Sequence, residues 1–333
     1  MPVIQPTGDM STYSYGSFRR GRATDFDIYS DDDYHPIPSV EIDQSLQRYV
    51  DGDSGSDSND GQLVANGGTG PWLTFRHGFL QLCASSTWRW LNLQGNLPVT
   101  TWPAANTMKS EGAGPGVKGA PAIVRERPGY SCTIDQTSGQ NIFTDGQEDI
   151  LWHGFKMNAD SAGIAIGLDI DTYRNTFRDI TGVMTGVGAD NVGLVMGEKP
   201  RSDYFGVFNC KFTGPGSFPT VNLNTACIYW RSMPHFRVEN NEVSNAPRNL
   251  YFKHANRVSE DPSDWYIKNN LVDDTVNTSM EFAGRGGEVS NNIFVNHVVL
   301  TNTSGDEAPE NVNAYHNTFI GNYSIHDADQ VAQ

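Results

Sequence analysis

Cationic side chains are scarce in this sequence. Its 333 residues include 23 Lys and Arg against 39 Asp and Glu, which gives a formal net charge of −16. A surface with this excess of negative charge repels phosphate backbones, so nucleic acid is excluded as an expected partner. Acidic surfaces of this kind are typical of virion and secreted proteins, where they serve solubility.

Long apolar runs are missing as well. No segment approaches the ~18 consecutive apolar residues that span a membrane, so no membrane insertion is expected. The first ten residues, MPVIQPTGDM, lack the basic region and apolar run of a secretory signal. If the first Met is native, we expect the protein to leave its cell without a signal peptide, or to stay inside.

Cysteine is rare, and none of the four residues Cys83, Cys132, Cys210 and Cys227 stands in a CxxC or Cys/His cluster. A zinc site is therefore not expected. We predict single buried thiols, although a Cys210–Cys227 disulfide would also fit the sequence. The eight histidines show no triad or metal spacing. The acids of the loop at 49–61 could bind Ca²⁺, but their spacing departs from that of an EF-hand. We therefore expect no cofactor, and Ca²⁺ is the one alternative.

Regular helical periodicity is hard to find, whereas glycine is plentiful at 34 residues. This balance predicts an all-β protein with many turns. The exception is the segment 71–88, in which Phe75, Phe79, Leu80 and Leu82 recur at near-helical spacing. We expect a short helix there that caps the end of the structure that follows.

An internal repeat begins near residue 123. Asn241 has an apolar residue three positions before it, Val238, and another two positions after it, Val243. The same frame, in places with a weaker first apolar residue, is centred on His153, Asn175, Cys210, Asn241, Asn270, Asn292 and Asn317. We predict that these central residues point inward and that Asn241 stacks on Asn270, while Asn240 faces out or enters a turn.

A second series of apolar triplets lies between the members of the first. It comprises residues 164–166, 194–196, 228–230, 250–252, 280–282 and 298–300. Each repeat therefore contains two short strands, and equivalent strands would stack ~4.8 Å apart. We predict a right-handed parallel β-helix, a solenoid, at 123–333, preceded by the first part of the coil and its capping segment at 49–122. The pattern resembles the pectate-lyase-like form over about 120–325.

The outward positions of the second series predict a functional surface. Tyr229, Arg231, Tyr251 and Lys253 converge on one face there, and His254 is close in sequence. Tyrosine rings can stack on sugars, and the charged groups can bind hydroxyls, so we predict that these five residues bind a glycan substrate. The alternative is that such outward pairs only stabilise the sheet.

Glycoside hydrolysis requires two carboxyl groups, about 5–5.5 Å apart for retention and about 6.5–9.5 Å apart for inversion. Glu281 is the first candidate, with Asp273 or Asp274 in the turn of the preceding strand as its partner. Weaker candidates are Asp169, Asp171, Glu198 and Asp203. In a lyase, Arg231 or Lys253 would instead remove the proton next to a uronate carboxylate.

Residues 1–48 differ from the rest, with a basic stretch at 17–22, an acidic one at 25–38 and no clear period. They predict either an extended arm that gains structure from a partner or a floppy tail. Such an arm before a β-helix without a signal peptide resembles bacteriophage tailspikes. The run YVD…GSDSNDG…PW, followed by a helix, is similar to the start of β-helix domains in those proteins.

The resemblance implies a homotrimer on the virion tail that acts extracellularly. Residues 1–48 would bind the phage tail or an adaptor protein. The β-helix would recognise a host surface polysaccharide, such as lipopolysaccharide O-antigen or capsule, and cleave it in those tailspikes that are depolymerases. No catalytic motif matches residue by residue, so only architecture and general role carry over. Two alternatives stay open: a free β-helix lyase or glycoside hydrolase, and a non-enzymatic virion adhesin or decoration protein.

Overall fold

The structure is a computed structural model. It describes residues 34–102, 116–136, 142, 144, 146–159, 164–168, 172–185, 193–198, 203–216, 226–231, 235–246, 248–253, 265–273, 278–282, 286–296 and 312–321. In some strands only the backbone is described, and the side chains left out are those of 164–168, 193, 196, 198, 230, 231, 253, 278, 279, 281 and 282. Within the described ranges, no helix is long and apolar enough to cross a membrane.

Strands dominate the described residues. The single α-helix there, α1, spans Phe75–Ala84, and two short 3-10 helices span Gln44–Leu46 and Val64–Asn66. The strands are β1 Gln47–Asp51, β2 Trp90–Val99, β3 Ala122–Glu126, β4 Cys132–Gln136, β5 Ile150–His153, β6 Lys156–Ala159, β7 Ile164–Leu168, β8 Asn175–Arg178, β9 Thr181–Met184, β10 Gly193–Glu198, β11 Phe205–Phe208, β12 Lys211–Thr213, β13 Ala226–Arg231, β14 Phe236–Glu239, β15 Glu242–Ser244, β16 Arg248–Lys253, β17 Tyr266–Lys268, β18 Leu271–Asp273, β19 Thr278–Phe282, β20 Glu288–Ser290, β21 Ile293–Val295, β22 Asn313–Tyr315 and β23 Thr318–Ile320.

These strands pair in three parallel stacks. The first stack has the order β1-β2-β3-β5-β8-β11-β14-β17-β20-β22, and the second has the order β2-β4-β6-β9-β12-β15-β18-β21-β23. Strand β2 belongs to both, so they form one 18-stranded network, while β7-β10-β13-β16-β19 form the third stack. The predicted all-β class is confirmed.

The predicted short helix is confirmed as α1. Its N-cap residue Thr74 accepts a hydrogen bond from the backbone N–H of His77, which satisfies one of the free donors of the first turn. The buried side of α1 includes Phe75, Phe79 and Leu82, and all three belong to the main hydrophobic core. Because the ring of Phe79 stacks on Trp152 at 5.4 Å, α1 packs directly against the strands of the first stack.

The predicted asparagine ladder is confirmed. The side-chain amide of Asn241 donates to Oδ1 of Asn270 at 3.0 Å, that of Asn270 donates to Asn292 at 2.9 Å, and that of Asn292 donates to Asn317 at 3.0 Å. Each amide also donates to a main-chain carbonyl of the preceding repeat, as Asn270 does to Val238 at 2.8 Å. Identical side chains on equivalent positions therefore satisfy one another inside the core.

Two members of the predicted inward series are out of register. The strand pairing aligns His153 with Arg178, and not with Asn175. His153 is 26% exposed and its Nε2 lies 3.4 Å from Oδ2 of Asp179, so the predicted inward position of His153 is wrong. Asn175 is buried, but it lies at the start of β8 and accepts a hydrogen bond from Nε1 of Trp152 at 3.0 Å.

The residue before each ladder position turns the chain between two strands. Asn209, Asn240, Asn269 and Asn291 all have positive φ angles, of 54°, 59°, 56° and 56°. Asparagine tolerates this left-handed conformation better than most residues do, which explains why it recurs at these turns. Asn240 is exposed in such a turn, as predicted.

All four cysteines are buried and none forms a disulfide, so the prediction of single buried thiols is confirmed over a Cys210–Cys227 disulfide. Cys210 takes the ladder position above Asn241, and its backbone N–H donates to Oδ1 of that residue at 2.8 Å. Burial raises the pKa of the Cys210 thiol to about 12.

Part of the expected N-terminal arm is described, and it packs against the outer face of the first stack; residues 1–33 lie outside the described residues. Ile42 packs against a small cluster formed by Trp90, Ile123 and Leu151. Nearby, both terminal nitrogens of Arg125 donate to the carboxylate of Glu41, at 2.7 and 2.8 Å. The segment 34–48 is therefore ordered by its own chain.

We expect Asn270→Ala to destabilise the protein by about 2–4 kcal/mol, because it removes the acceptor for the backbone N–H and side-chain amide of Asn241 and the side-chain donor to Val238 and Asn292. Denaturant unfolding measures this change. Asn313→Ala is the control, since Asn313 is exposed in β22 and its loss should change the unfolding free energy by less than about 0.5 kcal/mol. Equal effects of the two substitutions would contradict a structural role for the ladder.

Candidate functional site

The residues predicted to form a functional face lie side by side in the third stack. Tyr229 of β13 pairs with Tyr251 of β16, which pairs with Glu281 of β19. We call these three the tyrosine row. Two residues later in the strands, Arg231 pairs with Lys253. The backbone register therefore places these positions next to one another.

The strand register adds one residue to the pair Arg231 and Lys253. Glu198 of β10, a weaker acid candidate in the sequence, pairs with Arg231. We call Glu198, Arg231 and Lys253 the charged row. The expected triplet alignment is wrong by one residue here, because Val195 and not Leu194 pairs with Ile228.

Both tyrosine rings are buried. Tyr229 is 1% exposed and Tyr251 is 2% exposed, and together with Ala226 they form a cluster separate from the main core. Their ring centroids lie 5.2 Å apart, and the guanidinium of Arg248 lies 4.5 Å from the Tyr251 ring. The rings do face away from the main core, but the expected exposed aromatic surface is wrong. Strand alternation decides the face of a side chain and not whether that face is covered.

The side chains of Glu281, Arg231 and Lys253 are among those left undescribed, and His254 and Asp274 lie outside the described residues. Their catalytic and substrate-binding roles stay predictions. The weaker acid candidates Asp169 and Asp171 also lie outside.

Of the three main catalytic candidates Glu281, Asp273 and Asp274, only Asp273 has a described side-chain environment. It ends β18 and is half-buried, and burial raises the pKa of its carboxyl group. Its Oδ1 atom is buried without a hydrogen-bond partner within the described part of the chain. A carboxyl group in such a setting keeps its proton to higher pH than usual, which suits a proton donor.

Asp203, a weaker acid candidate in the sequence, is held in place by hydrogen bonds to neighbouring residues. Its Oδ2 lies 2.8 Å from Nδ1 of His235, and its Oδ1 accepts hydrogen bonds from the backbone N–H groups of His235 and Tyr204. The imidazole of His235 also stacks on the Tyr204 ring at 4.6 Å. Asp203 thus links the residues that stand just before β11 and β14, Tyr204 and His235.

A further polar cluster lies on the outer face of the first stack, where the sequence predicted no site. Its members lie in two neighbouring rows that cross strands β14, β17, β20 and β22. Arg237, Tyr266 and Glu288 form one row, and Glu239, Lys268, Ser290 and Tyr315 form the other. This outer-face cluster consists of Arg237, Glu239, Tyr266, Lys268, Glu288, Ser290 and Tyr315.

The two carboxyl groups of the outer-face cluster differ in environment. Oε1 of Glu288 lies 3.0 Å from Nζ of Lys268 and accepts hydrogen bonds from Ser290, at 2.6 Å, and from the Tyr315 hydroxyl. Although burial raises its pKa, these groups together lower it below the ordinary value. Glu239 is only 4% exposed, and its pKa is raised chiefly by burial and slightly by Glu288.

A signal for this cluster was present in the sequence. Glu239, Lys268, Ser290 and Tyr315 each stand two residues before a ladder asparagine. Because the ladder asparagines are equivalent positions, this shared spacing puts the four side chains in one row on the outside of the first stack.

Within the described part of the chain, no group of three or more His, Cys, Asp or Glu side chains could hold a metal ion.

No protein-family model matches the chain, and no curated protein sequence matches it. Among solved structures, the chain is similar to the selenomethionine derivative of a GH136 lacto-N-biosidase from Eubacterium ramulus. The identity is 11%, with 83% of this chain and 68% of that chain covered, and the TM-score is 0.25. The native form of the same protein gives 10% identity, coverage of 82% and 67%, and a TM-score of 0.23. At these TM-scores the likeness carries no argument about this chain.

We expect Asp273→Asn to stabilise the protein at neutral pH. The raised pKa of Asp273 means that the folded state binds the proton more tightly than the unfolded state, so stability falls as pH rises above the ordinary Asp pKa of about 3.9. Asparagine carries no charge, so the variant avoids this loss of stability. Its stabilisation relative to wild type should vanish below that pH. Thermal unfolding from acidic to neutral pH measures the difference, and a stabilisation of the variant that is constant with pH would contradict the expectation.

Proposed function

We propose that the protein is a polysaccharide-binding protein of the bacteriophage tailspike type, built as a right-handed parallel β-helix. The coil is supported by the order of strands in the three stacks, since each strand pairs in parallel with its equivalent in the next repeat. Val238, for example, lies between Val207 of the repeat before and Ile267 of the repeat after. A continuous main core from Val50 to Phe294 is what such a coil would bury.

The observation that carries the proposed function is the strand register of the third stack. It aligns Glu198, Arg231 and Lys253 as the charged row, beside the tyrosine row. One acceptor beside two donors on neighbouring strands could hydrogen-bond to the hydroxyl groups of a glycan chain. Because the two tyrosine rings are buried, binding in this proposal depends on the charged row and not on ring stacking.

Hydrolysis at this surface would use Asp273 as the acid, since burial favours its protonated form. Glu281, at the end of the tyrosine row, would act as the base or the nucleophile, and Asp274 is the alternative partner. The proton of Asp273 would go to the glycosidic oxygen as the bond to the sugar breaks, and water would supply the new hydroxyl group.

The proposal includes a homotrimer that acts extracellularly from the virion tail on O-antigen or capsule. The N-terminal arm would bind the tail or an adaptor protein. Residues 34–48 already pack against the first stack, as the Glu41–Arg125 ion pair illustrates. Attachment is therefore assigned to residues 1–33.

We expect Glu281→Gln to reduce the shortening of host surface polysaccharide at least about 100-fold while leaving its binding intact, because the substitution removes the base and keeps the shape. Lys253→Ala should instead weaken binding. Fragment size after incubation and pull-down of the intact polymer measure the two effects.

Glu242→Gln is the matched control, since Glu242 is a half-buried residue of β15 whose carboxylate pairs with Lys211 at 2.6 Å. Binding without any shortening would favour the adhesin alternative. Unsaturated sugar ends in the products would favour a lyase. If neither polymer binding nor cleavage depends on Lys253 or Glu281, the proposed site is wrong.

Assembly is tested separately. We expect full-length protein in solution to have three times the mass of one chain, as measured by light scattering after size exclusion. A mass equal to one chain would contradict the tailspike architecture, because those proteins form trimers.

A further inference from the structure

A guanidinium group without a carboxylate partner stands just after β3, on the outer side of the first stack. Nη1 of Arg127 donates to Oε1 of Gln94 at 2.5 Å, and within the described part of the chain no carboxylate forms an ion pair with Arg127. Two residues earlier, Arg125 donates from both terminal nitrogens to the carboxylate of Glu41, at 2.7 and 2.8 Å. Arg127 therefore offers the cation of such a pair without the anion.

The contact with Gln94 does not supply that anion. Nε2 of Gln94 donates to Oδ2 of Asp51 at 2.8 Å, so the amide lies between the guanidinium and the carboxylate. The carboxylate of Asp51 also accepts hydrogen bonds from the Ser54 hydroxyl, at 2.5 Å, and from the backbone N–H groups of Asp53 and Ser54. Although burial raises the pKa of Asp51, these hydrogen bonds together lower it. Asp51 is thus held by its own loop and by Gln94.

The remaining N–H groups of Arg127 are open to solvent. A guanidinium carries five N–H donors, and the hydrogen bond to Gln94 uses one of them. The side chain of Arg127 is half-buried, and none of its nitrogens is among the buried atoms that lack a partner in the described residues. An acceptor from outside the protein can therefore reach these donors.

An exposed aromatic ring lies against the same guanidinium. The centre of the Tyr130 ring is 4.1 Å from Cζ of Arg127, and Tyr130 is 48% exposed. A tight turn holds the two residues together, because the backbone N–H of Tyr130 donates to the carbonyl of Arg127 at 3.1 Å. Pro128 and Gly129, whose φ is 82°, occupy the central positions in the pattern of a type II turn. The cation and the ring are thus positioned before any ligand arrives.

We propose that Arg127 and Tyr130 bind a sugar that carries a carboxylate, such as a uronic acid unit of an acidic polysaccharide. The carboxylate accepts two hydrogen bonds from the planar guanidinium and supplies the missing negative charge. The Tyr130 ring packs against the apolar face of the sugar ring. A neutral sugar would leave the cation unpaired.

The negative charge of the protein does not prevent this contact. The formal net charge of −16 repels an acidic polymer at long range, but salt at physiological concentration screens charges beyond ~8 Å. A carboxylate hydrogen-bonded to Arg127 lies well inside that distance. The site lies on the first stack, whereas the charged row lies on the third, so the inference does not rest on the proposed function.

The test uses full-length protein and isothermal titration calorimetry with tetramers of galacturonic acid and of glucuronic acid. The same tetramers with methyl-esterified carboxyl groups keep the shape and lose the charge. We expect at least one acidic tetramer to bind and its ester to bind about tenfold more weakly or worse, because hydrogen bonds to charged groups are the stronger ones. Equal or tighter binding of the ester, or no binding of either acid, overturns the proposal.

Substitutions identify the site. Arg127→Gln should weaken binding of the acidic tetramer about tenfold or more, and Arg127→Lys should weaken it less, because lysine keeps the charge and loses the planar fork. Tyr130→Ala should also weaken binding, whereas Tyr130→Phe should bind like wild type because the ring makes the contact. Arg76→Gln is the matched control, since it removes the same charge from an exposed position of α1. An Arg127→Gln variant that binds like wild type overturns the proposal.

Thermal unfolding shows whether the variants fold. Tyr130 is 48% exposed, so Tyr130→Ala should change Tm little and should report on binding even if Arg127→Gln unfolds. A tetraglutamate peptide tests for a protein ligand. If it binds as tightly as the acidic tetramer and Tyr130→Ala weakens neither, the sugar assignment is overturned.

A last substitution separates this site from the one on the third stack. Lys253→Ala should leave binding of the acidic tetramer unchanged. If Lys253→Ala weakens that binding while Arg127→Gln does not, the third-stack site is supported and the site at Arg127 is overturned.

Discussion

Parallel pairing of each strand with its equivalent one repeat later is the constraint on which the described structure depends. It places equivalent residues ~4.8 Å apart, so whatever side chain a repeat offers is met by the corresponding side chain of the next. Inside, this alignment lets Asn241, Asn270 and Asn292 satisfy one another's amides. Outside, the same alignment builds rows of unlike residues, in which Glu239 adjoins Lys268. Core stability and surface chemistry are consequences of one register.

Many of the inward-facing contacts could be predicted from the sequence. The Asn241–Asn270 contact and helix α1 both follow from local spacing. The errors at His153 and Asn175 arose where the ladder position is occupied by apolar residues, Phe155 and Ile180, and the apolar frame alone permits a slipped alignment. Main-chain hydrogen bonding between repeats removes that freedom, and loop lengths that vary between repeats hide it from the sequence.

The surface was less predictable for two different reasons. Tyr229 and Tyr251 were assigned correctly to the face that points away from the main core, yet both are buried, because strand alternation sets the direction of a side chain and not what packs over it. Glu239 was missed because it reads as an ordinary outward strand residue. Its burial becomes apparent only in the folded chain, where the residue is 4% exposed.

The sequence by itself determined the strand-rich class, the repeat, the helix at its start and the inward asparagines, because these depend on spacing along the chain and on the chemistry of identical side chains in register. Only the tertiary structure decided the pairing at Val195 and the burial of Tyr229, Tyr251 and Glu239. Those properties depend on which distant segment lies against a strand, and the pairing of strands 22 to 43 residues apart is a balance of many weak contacts that no local pattern records.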